Sequence, residues 1–270
     1  MKQITILNQE DLNEFTFYDN SNNIILRSFE GFEYPRVRES IEEVSGQKSA
    51  YHINSLFGSR EISFTGDLIG DTVFTLRRSL LNCLGMGSLK LLKFTTYDDL
   101  ELQCEGELVS LNNPYNHSIH TFNLTFIAPD YRLFSQDEYT FTTIPTTIHG
   151  GASIPTNIPM SFFKIAYVLN NGNEIADPIF TIHGPGTSFR VRNQTTSEEF
   201  TITETLLSSE SLIVNIKNKT VIFNGNSILN SFDGDFWQLM TGNKRIDFFV
   251  EGSGANTLLT INWRDAYNGL

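Results

Sequence analysis

The residues of this chain whose types could support metal binding are five scattered histidines. Only His117 and His120 lie close in the sequence, and residues three apart on a strand face opposite sides of a sheet. A zinc site needs three or four clustered ligands. The spacing therefore predicts structural or surface roles for the histidines and no metal site.

Paired carboxylates are the next candidates, because two acids in different environments can divide general acid and base roles. The closest pairs are Asp98 with Asp99 and Asp233 with Asp235. Both lie in polar, turn-like surroundings, where aspartate is expected for local hydrogen bonding. The chain also has no GxSxG, P-loop or GxGxxG motif. We predict no catalytic or cofactor-binding residues and no enzyme.

Two further residue types could carry function. Cys83 and Cys104 belong to no CxxC pair, so they are predicted to be buried, reduced thiols. Trp237 and Trp263 could be stacking platforms for a saccharide in a lectin-like sandwich if their rings are exposed. Both tryptophans lie in stretches of apolar periodicity, which favours the core, and exposure decides between the two roles.

Composition limits the class of protein further. The 270 residues are 40% hydrophobic, include 22 phenylalanines and carry a formal net charge of −12. Aromatic side chains favour pleated, half-buried surfaces, and an acidic surface is unsuited to binding duplex DNA. The sequence shows neither an apolar stretch of bilayer length nor a secretory signal. These features predict a folded, mainly β protein that is made in a cytoplasm and has no membrane partner.

The C-terminal part of the chain, residues 161–270, is predicted to be a β-sandwich. Apolar residues alternate at strand spacing in segments such as Pro178–His183 and Leu212–Lys217, and the pair Asn224-Gly225 is typical of a tight reversal. Before it, residues 141–160 are rich in Thr, Ile and Pro, which is typical of an extended segment. We predict that residues 141–160 are a linker.

Residues 1–140 are predicted to form a β-rich N-terminal domain with one helix at about 71–84. Val73, Leu76, Leu80 and Leu84 recur at helical spacing. Asp71 is the predicted N-terminal cap of this helix, and Gly85 can end it. Antiparallel strands follow, so the helix is expected to pack on one face of the sheet.

One segment of this domain, residues 31–58, lacks a clear strand pattern and is predicted to be an extended, exposed excursion. Charged residues crowd into it, which is usual for a solvated loop. The charged residues singled out here are Arg36, Arg38, Glu39, Glu42 and Glu43.

The order of several short motifs resembles the distal tail proteins of siphophages that infect Gram-positive bacteria. None of the motifs is a catalytic signature, and the resemblance rests on their order across nearly the whole chain. They are Phe57–Asp67, Leu76–Leu80, Leu89–Phe94, Ala128–Phe134, Ile182–Gly184, Val191–Thr196, Val221–Gly225 and Leu239–Ile246.

The resemblance implies that the N-terminal domain closes into a homo-hexameric ring and that the C-terminal domain is a galectin-like or jelly-roll β-sandwich facing outward. Such a ring would join the tail tube protein to the tail-tip protein, while the outer domains anchor receptor-binding or other baseplate proteins. The protein would lie in the virion after assembly in the host cytoplasm. The resemblance also implies that the excursion, with the five charged residues named above, contacts the neighbouring subunit.

The net charge of −12 adds a hypothesis about the ring, in which DNA passes without specific binding. An acidic lining repels a polyanion and keeps it mobile, so part of the acidic excess is predicted to face the pore. The alternative function is a carbohydrate-binding adhesion module that recognises host cell-wall saccharide. Exposed aromatic rings on one face of the sandwich would favour that alternative.

Overall fold

The chain folds into two compact units. The computed structural model describes residues 1–18, 23–43, 50–85, 89–114, 119–145 and 166–270, with only the backbone described for residues 38–43, 50–55 and 166. The first unit contains Met1–Gln136 and Tyr267–Leu270, and the second contains Asp137–Ala266.

These bounds differ from the predicted domain limits at two places. Tyr139–Thr143 pairs in register with Leu259–Trp263, so this Thr-containing segment is a strand of the second unit and lies in neither the first domain nor a linker. Tyr267–Leu270 belongs to the first unit and not to the sandwich. Most of the predicted linker, residues 146–160, lies outside the described residues.

The first unit is built from strands and one helix. Its elements are β1 Gln3–Asn8, β2 Glu14–Tyr18, β3 Ile24–Glu30, β4 Val37–Glu43, β5 Ala50–Phe57, β6 Arg60–Ile69, α1 Val73–Leu84, β7 Lys90–Thr95, β8 Glu101–Asn112, β9 Ile119–Ala128 and β10 Leu133–Ser135.

The second unit contains shorter strands. Its elements are β11 Tyr139–Thr143, β12 Ala166–Asn170, β13 Ile179–His183, β14 Ser188–Asn193, β15 Glu199–Ile202, β16 Ser211–Asn215, β17 Thr220–Phe223, β18 Asn226–Ser227, a 3₁₀ helix at Leu229–Ser231, β19 Phe232–Gly234, β20 Gly242–Glu251 and β21 Leu258–Trp263; β22, Ala266–Tyr267, leads back to the first unit.

The main sheet of the first unit has the strand order β2-β1-β7-β8-β9-β6-β3. Phe17 of β2 packs against Phe64 of β6 and Phe122 of β9, with ring centroids 5.3 and 4.8 Å apart. Because β2 and β6 lie near opposite ends of the strand order, the sheet curls around a shared aromatic core. The antiparallel pairing and mainly β architecture confirm the predicted fold class.

The single predicted helix is confirmed as α1, which packs against β1, β2, β6 and β9. Its buried face includes Val73, Leu80 and Leu84, as the helical spacing predicted. Asp71 is not its cap: Thr72 holds the N-cap position and makes no side-chain capping bond, so the predicted capping role of Asp71 is wrong. Among the described residues, no helix is long and apolar enough to cross a bilayer.

The second unit is a sandwich of two antiparallel sheets. The six-stranded sheet has the order β11-β21-β13-β16-β17-β18, and the five-stranded sheet has the order β12-β20-β14-β15-β19. Phe180 of one sheet packs edge to face on Phe200 of the other at 5.3 Å, and the ring of Trp237 packs against both. The predicted β-sandwich is therefore confirmed.

The two outer faces of the sandwich have different chemistry. On the six-stranded sheet, the side chains that alternate with buried core residues are all at least partly exposed, and none carries a formal charge. They are Thr140, Thr142, Ile179, Thr181, His183, Ser211, Ile213, Asn215, Thr220, Ile222, Ser227, Leu258, Thr260 and Asn262.

On the five-stranded sheet, most of the outward positions are charged. The outward residues are Tyr167, Leu169, Ser188, Arg190, Arg192, Glu199, Thr201, Asp233, Asn243, Arg245, Asp247, Phe249 and Glu251. Arg190 lies over the ring of Phe249 at 4.5 Å, and Arg192 lies 3.8 Å from Glu199.

Both cysteines are buried free thiols, as predicted. Cys83 of α1 donates to the carbonyl oxygens of Ile6 and Asn13, at 3.2 and 3.4 Å. Burial raises the pKa of Cys83, and it raises the pKa of Cys104 to about 12 although Arg60 acts in the opposite direction. Both thiols are therefore neutral at physiological pH.

We expect the two cysteines of the folded protein to react slowly with a thiol-labelling disulfide reagent at pH 8, because the reagent needs an exposed thiolate.

Cys104 ionises at a lower pH in the unfolded chain, so its contribution to stability is complete below about pH 8.5 and is lost as the pH rises toward 12. Unfolding free energies at pH 8 to 11 should fall by up to about 1.4 kcal/mol per pH unit more in the wild type than in Cys104→Ala. Equal slopes, or rapid labelling of the folded protein, would contradict this assignment.

Candidate functional site

The segment predicted to be an extended, exposed excursion contains a β-hairpin. β4 pairs antiparallel with β5, from Val37 opposite Phe57 to Glu43 opposite Ala50, with a shift in register between Ser40 and Ile41. The hairpin is a separate two-stranded sheet in the strand topology. The two strands of this excursion were not predicted, because backbone pairing needs no apolar alternation, which was the signal used to identify strands in the sequence.

The charged residues predicted to contact a neighbouring subunit all lie on or beside β4. Arg36 is exposed just before the strand, and its carbonyl accepts a hydrogen bond from the Gly58 amide at 3.2 Å, which closes the base of the hairpin. Arg38, Glu39, Glu42 and Glu43 lie within β4, and their side chains are outside the described part of the structure. Their contact with a neighbour stays a prediction.

Aromatic residues gather at the base of the hairpin. Phe57 stacks on Tyr131 with ring centroids 4.4 Å apart, and Tyr34 meets Phe57 edge to face at 5.6 Å. Tyr34 is 61% exposed, and the neighbouring Leu56 is 60% exposed. We call Tyr34, Leu56, Phe57 and Tyr131 the hairpin root.

The buried guanidinium of Arg60 holds the hairpin root in place. Its Nη1 donates to the carbonyl oxygens of Gly31 at 2.6 Å and Glu33 at 2.9 Å, while its Nε donates to Tyr131 at 2.6 Å and its Nη2 to Asn268 at 2.8 Å. Burial lowers the pKa of Arg60. Four backbone carbonyls from three separate segments therefore converge on one cation.

Backbone geometry around this cation depends on one glycine. Gly31 has a φ of 95°, and a β-carbon at this position would lie 2.0 Å from the carbonyl oxygen of Glu61. A side chain is excluded both by the positive φ and by this close approach. The amide of Gly31 donates to the carboxylate of Glu33 at 3.0 Å, which fixes the start of the segment that leads into β4.

A cavity of about 350 Å³ lies beside the Arg60 cluster. Backbone and side chains of both ends of the hairpin line it, together with Ile127 of β9. The lining residues are Gly31, Glu33, Tyr34, Pro35, Arg36, Gly58, Ser59, Arg60, Glu61 and Ile127. The hairpin root and this cavity form a mixed polar and aromatic surface, which is suited to contact with another protein chain.

The residues considered for chemistry are separated. Thr96 donates to the carboxylate of Asp98 and lowers its pKa, while Asp99 has a positive φ and pairs with Lys2 at 2.6 Å, so both acids serve a turn. Asp233 and Asp235 are exposed. No group of three or more His, Cys, Asp and Glu residues that could hold a metal occurs among the described residues.

His117 and His120, the two histidines that are close in the sequence, cannot be compared directly. His120 is fully buried and meets Phe74 edge to face at 5.3 Å, whereas His117 lies outside the described residues.

The two tryptophans are core residues. Trp237 is 2% exposed between the two sheets, and Trp263 is 8% exposed, stacks on Tyr139 at 5.8 Å and donates its indole N–H to the carbonyl of Leu169. Neither ring therefore offers a face to a sugar. The condition that the adhesion alternative placed on these two residues is not met.

Sequence reasoning missed Arg60, although one signal was present. Arg60 alternates with Ile62 and Phe64, which are both buried, so the alternation places its charge on the inward face of β6. A charged residue at an inward position of a strand must find buried partners, because an unpaired buried charge is very costly. The identity of its partners could not be predicted, since Asn268 is 208 residues away.

Comparison with known proteins found one family model that matches part of the chain. Residues 171–267 match the model of the siphovirus-type tail component, C-terminal domain. No curated protein sequence matches the chain. The family match therefore covers most of the sandwich of the second unit.

Solved structures resemble the whole chain. The crystal structure of the Dit protein of phage SPP1, described as a paradigm of the hub of adsorption apparatus in phages that infect Gram-positive bacteria, is 15% identical, with a TM-score of 0.66 over 97% of this chain and 98% of that one. A chain of the phage P2 baseplate in its activated conformation with calcium is 10% identical, with a TM-score of 0.54 and 99% of each chain covered. A strontium form of that baseplate gives a TM-score of 0.53 at 10% identity and the same coverage.

Residues 171–267 of the second unit are thus similar to the C-terminal domain of siphovirus-type tail components. The chain as a whole has the fold of a Dit protein, and the resemblance to distal tail proteins inferred from the sequence is confirmed at these two levels.

We expect Arg60→Lys to lower the free energy of unfolding by about 1.5–3 kcal/mol, because an ammonium group cannot reach all four carbonyls and each hydrogen bond to a charged group is worth about that much. Denaturant unfolding measures the loss, and amide exchange should quicken at Leu270, whose N–H donates to Phe32 beside the cluster. The matched control is Arg36→Lys, an exposed change that should stay within about 0.5 kcal/mol of the wild type. Equal stability of both variants would show that the cluster holds nothing together.

Proposed function

We propose that this protein is a structural component of a phage virion, a distal tail hub that forms a homo-hexameric ring. The ring joins the tail tube protein to the tail-tip protein, and its outer domains anchor receptor-binding or other baseplate proteins. The observation that carries the proposal is the similarity in fold to the SPP1 Dit hub over nearly the full length of both chains. The protein assembles in the host cytoplasm and acts by binding, without enzymatic activity.

The hairpin and its root supply the contact between neighbouring subunits in this proposal. Tyr34 and Leu56 are each more than half exposed, and aromatic residues are enriched in protein interfaces. The Arg60 cluster fixes the base of the hairpin, so its direction is set before a neighbour is met. Binding costs less conformational entropy when the interface residues are already ordered before the partner binds.

We expect the wild-type protein to form hexameric rings with a central hole, measured by light scattering after size exclusion and by negative-stain imaging. Leu56→Asp should shift the population strongly toward the monomer of 30.6 kDa, because it places an unpaired charge in the interface. The matched control is Leu207→Asp, which makes the same change at a residue of the second unit that is 64% exposed. Both variants should keep the circular dichroism spectrum of the wild type.

A ring that survives Leu56→Asp unchanged would remove the hairpin root from the interface. If the wild type stays monomeric at every concentration and also in the presence of isolated tail tubes, the hub proposal itself is contradicted.

The lumen of the ring is proposed to be acidic. β8 presents Glu101, Glu105 and Glu107 as exposed residues that alternate with buried ones, so three carboxylates share the outward face of one strand. In a ring of six copies, such a strand would supply a repeated band of negative charge. A polyanion passing through would be repelled from the wall at distances of roughly 8 Å at physiological salt.

We expect wild-type rings to leave linear duplex DNA unretarded in a gel at physiological salt. Changing all three of these β8 carboxylates to lysine should produce binding that weakens steeply as salt rises, since each phosphate contact releases counterions. The control carries the same change in charge at Asp233, Asp235 and Glu251, which are exposed in the second unit. Equal DNA binding by both triple variants would contradict the placement of β8 at the lumen.

A further inference from the structure

We propose that the outer face of the six-stranded sheet is the surface on which the hub carries a protein of the tail tip, and that this partner presents an uncharged surface. The inference rests on the proposed hub function and adds to it which face docks and what chemistry the partner has.

The first support is the absence of charge from this face. Aspartate, glutamate, lysine and arginine make up 19% of the chain, and the outer face of the opposite sheet is dominated by them. The outer face of the six-stranded sheet carries only Thr, Ser, Asn, Ile, Leu and one His. Depletion of charged residues is the compositional property that distinguishes the core of an interface from ordinary surface.

The second support is the arrangement of the apolar side chains on this face. Thr181 lies opposite Ile213, and Ile213 lies opposite Ile222 on the next strand. Ile213 is 43% exposed although it occupies the middle of the sheet. The isoleucine pair, with Thr181 on one side and Ser227 on the other, presents methyl groups to the outside, and burying such groups against a partner is favourable.

The hydroxyl and amide groups of this face are partly satisfied within the sheet. Thr142 and Thr260 share a hydrogen bond at 3.2 Å, and Asn262 donates to Thr140 at 3.2 Å. Polar groups that already have partners cost less to bury than free ones. Covering Thr140, Thr142, Thr260 and Asn262 therefore costs less than covering free polar groups.

The same chemistry argues against other occupants. A polyanionic cell-wall polymer would need lysine or arginine, and a saccharide would need an aromatic platform for stacking. The outward positions of this sheet contain neither type of residue. A neutral protein surface is the occupant that matches them.

The size of the face indicates how the partner is held. With strands about 4.8 Å apart and outward residues about 6.8 Å apart along each strand, the face measures roughly 400 Å² in projection. A standard protein interface buries about 800 Å² on each partner. One face alone is thus expected to bind a partner weakly. A partner present in several copies binds with higher avidity when it occupies several faces of one ring.

The test supplies variants in trans to a siphophage that lacks its own copy of this gene and images the tails by electron microscopy. Thr181→Lys and Ile213→Glu, made separately, should give tails that carry the hub ring but lack peripheral tip proteins. The titre should fall roughly a hundredfold or more, because an unpaired charge buried in an interface is strongly disfavoured. Thermal melting of each purified variant checks that the sandwich is folded.

Two controls separate charge from position. Thr181→Val leaves the face uncharged, and Thr201→Lys places the same charge on the outer face of the five-stranded sheet; both should match the wild type. A complete tip and full titre with both charged variants would overturn the proposal, as would loss of the ring or loss of cell-wall binding alone. Tails that carry the wild-type protein but show no ring would instead contradict the hub function.

Discussion

One buried cation organises the first unit. Arg60 lies at the start of a strand whose neighbours are core residues, and its guanidinium joins the segment before the hairpin, the turn after β9 and the end of the chain through backbone carbonyls alone. All four acceptors are backbone carbonyl oxygens, which every residue type has. The cluster therefore does not depend on the side chains of these four residues. In the hairpin root, Phe57 and Tyr131 stack on each other, and Tyr34 packs edge to face on Phe57 while its own ring is largely exposed.

The second unit divides its roles between the faces of two sheets. The inner faces supply a core of aromatic and branched residues, in which Trp237 packs against both Phe180 and Phe200. The outer face of the five-stranded sheet is solvated through charged side chains that pair across strands, such as Arg192 with Glu199. The six-stranded sheet lacks such charges on its outer face, so its solubility depends on hydroxyl and amide groups. The sandwich therefore has one charged and one uncharged outer face, a difference that its two-layer architecture does not require.

The sequence predicted local features well and long-range ones poorly. Alternation identified strands such as β13 and β16, and helical spacing identified α1, because each pattern records which side of one element is buried. The predicted cap at Asp71 was wrong, and the first residues of the predicted linker at 141–160 belong to a strand, because composition alone determines neither feature. Tyr139–Thr143 is a strand only through β21, more than a hundred residues away. The Arg60 cluster has the same character, since its donors and acceptors come together only in the folded chain.

The path of the chain has a consequence for inheritance. The second unit, Asp137–Ala266, interrupts the first, which resumes at Tyr267. In genetic terms the sandwich is an insert with two junctions, and a single recombination event downstream of Gln136 replaces Asn268 together with the sandwich. A gene that exchanges the second unit intact needs two crossovers, or a donor whose C-terminal segment also packs on the first unit. Selection on the carbonyl cluster around Arg60 would therefore restrict which second units can be exchanged between related genes.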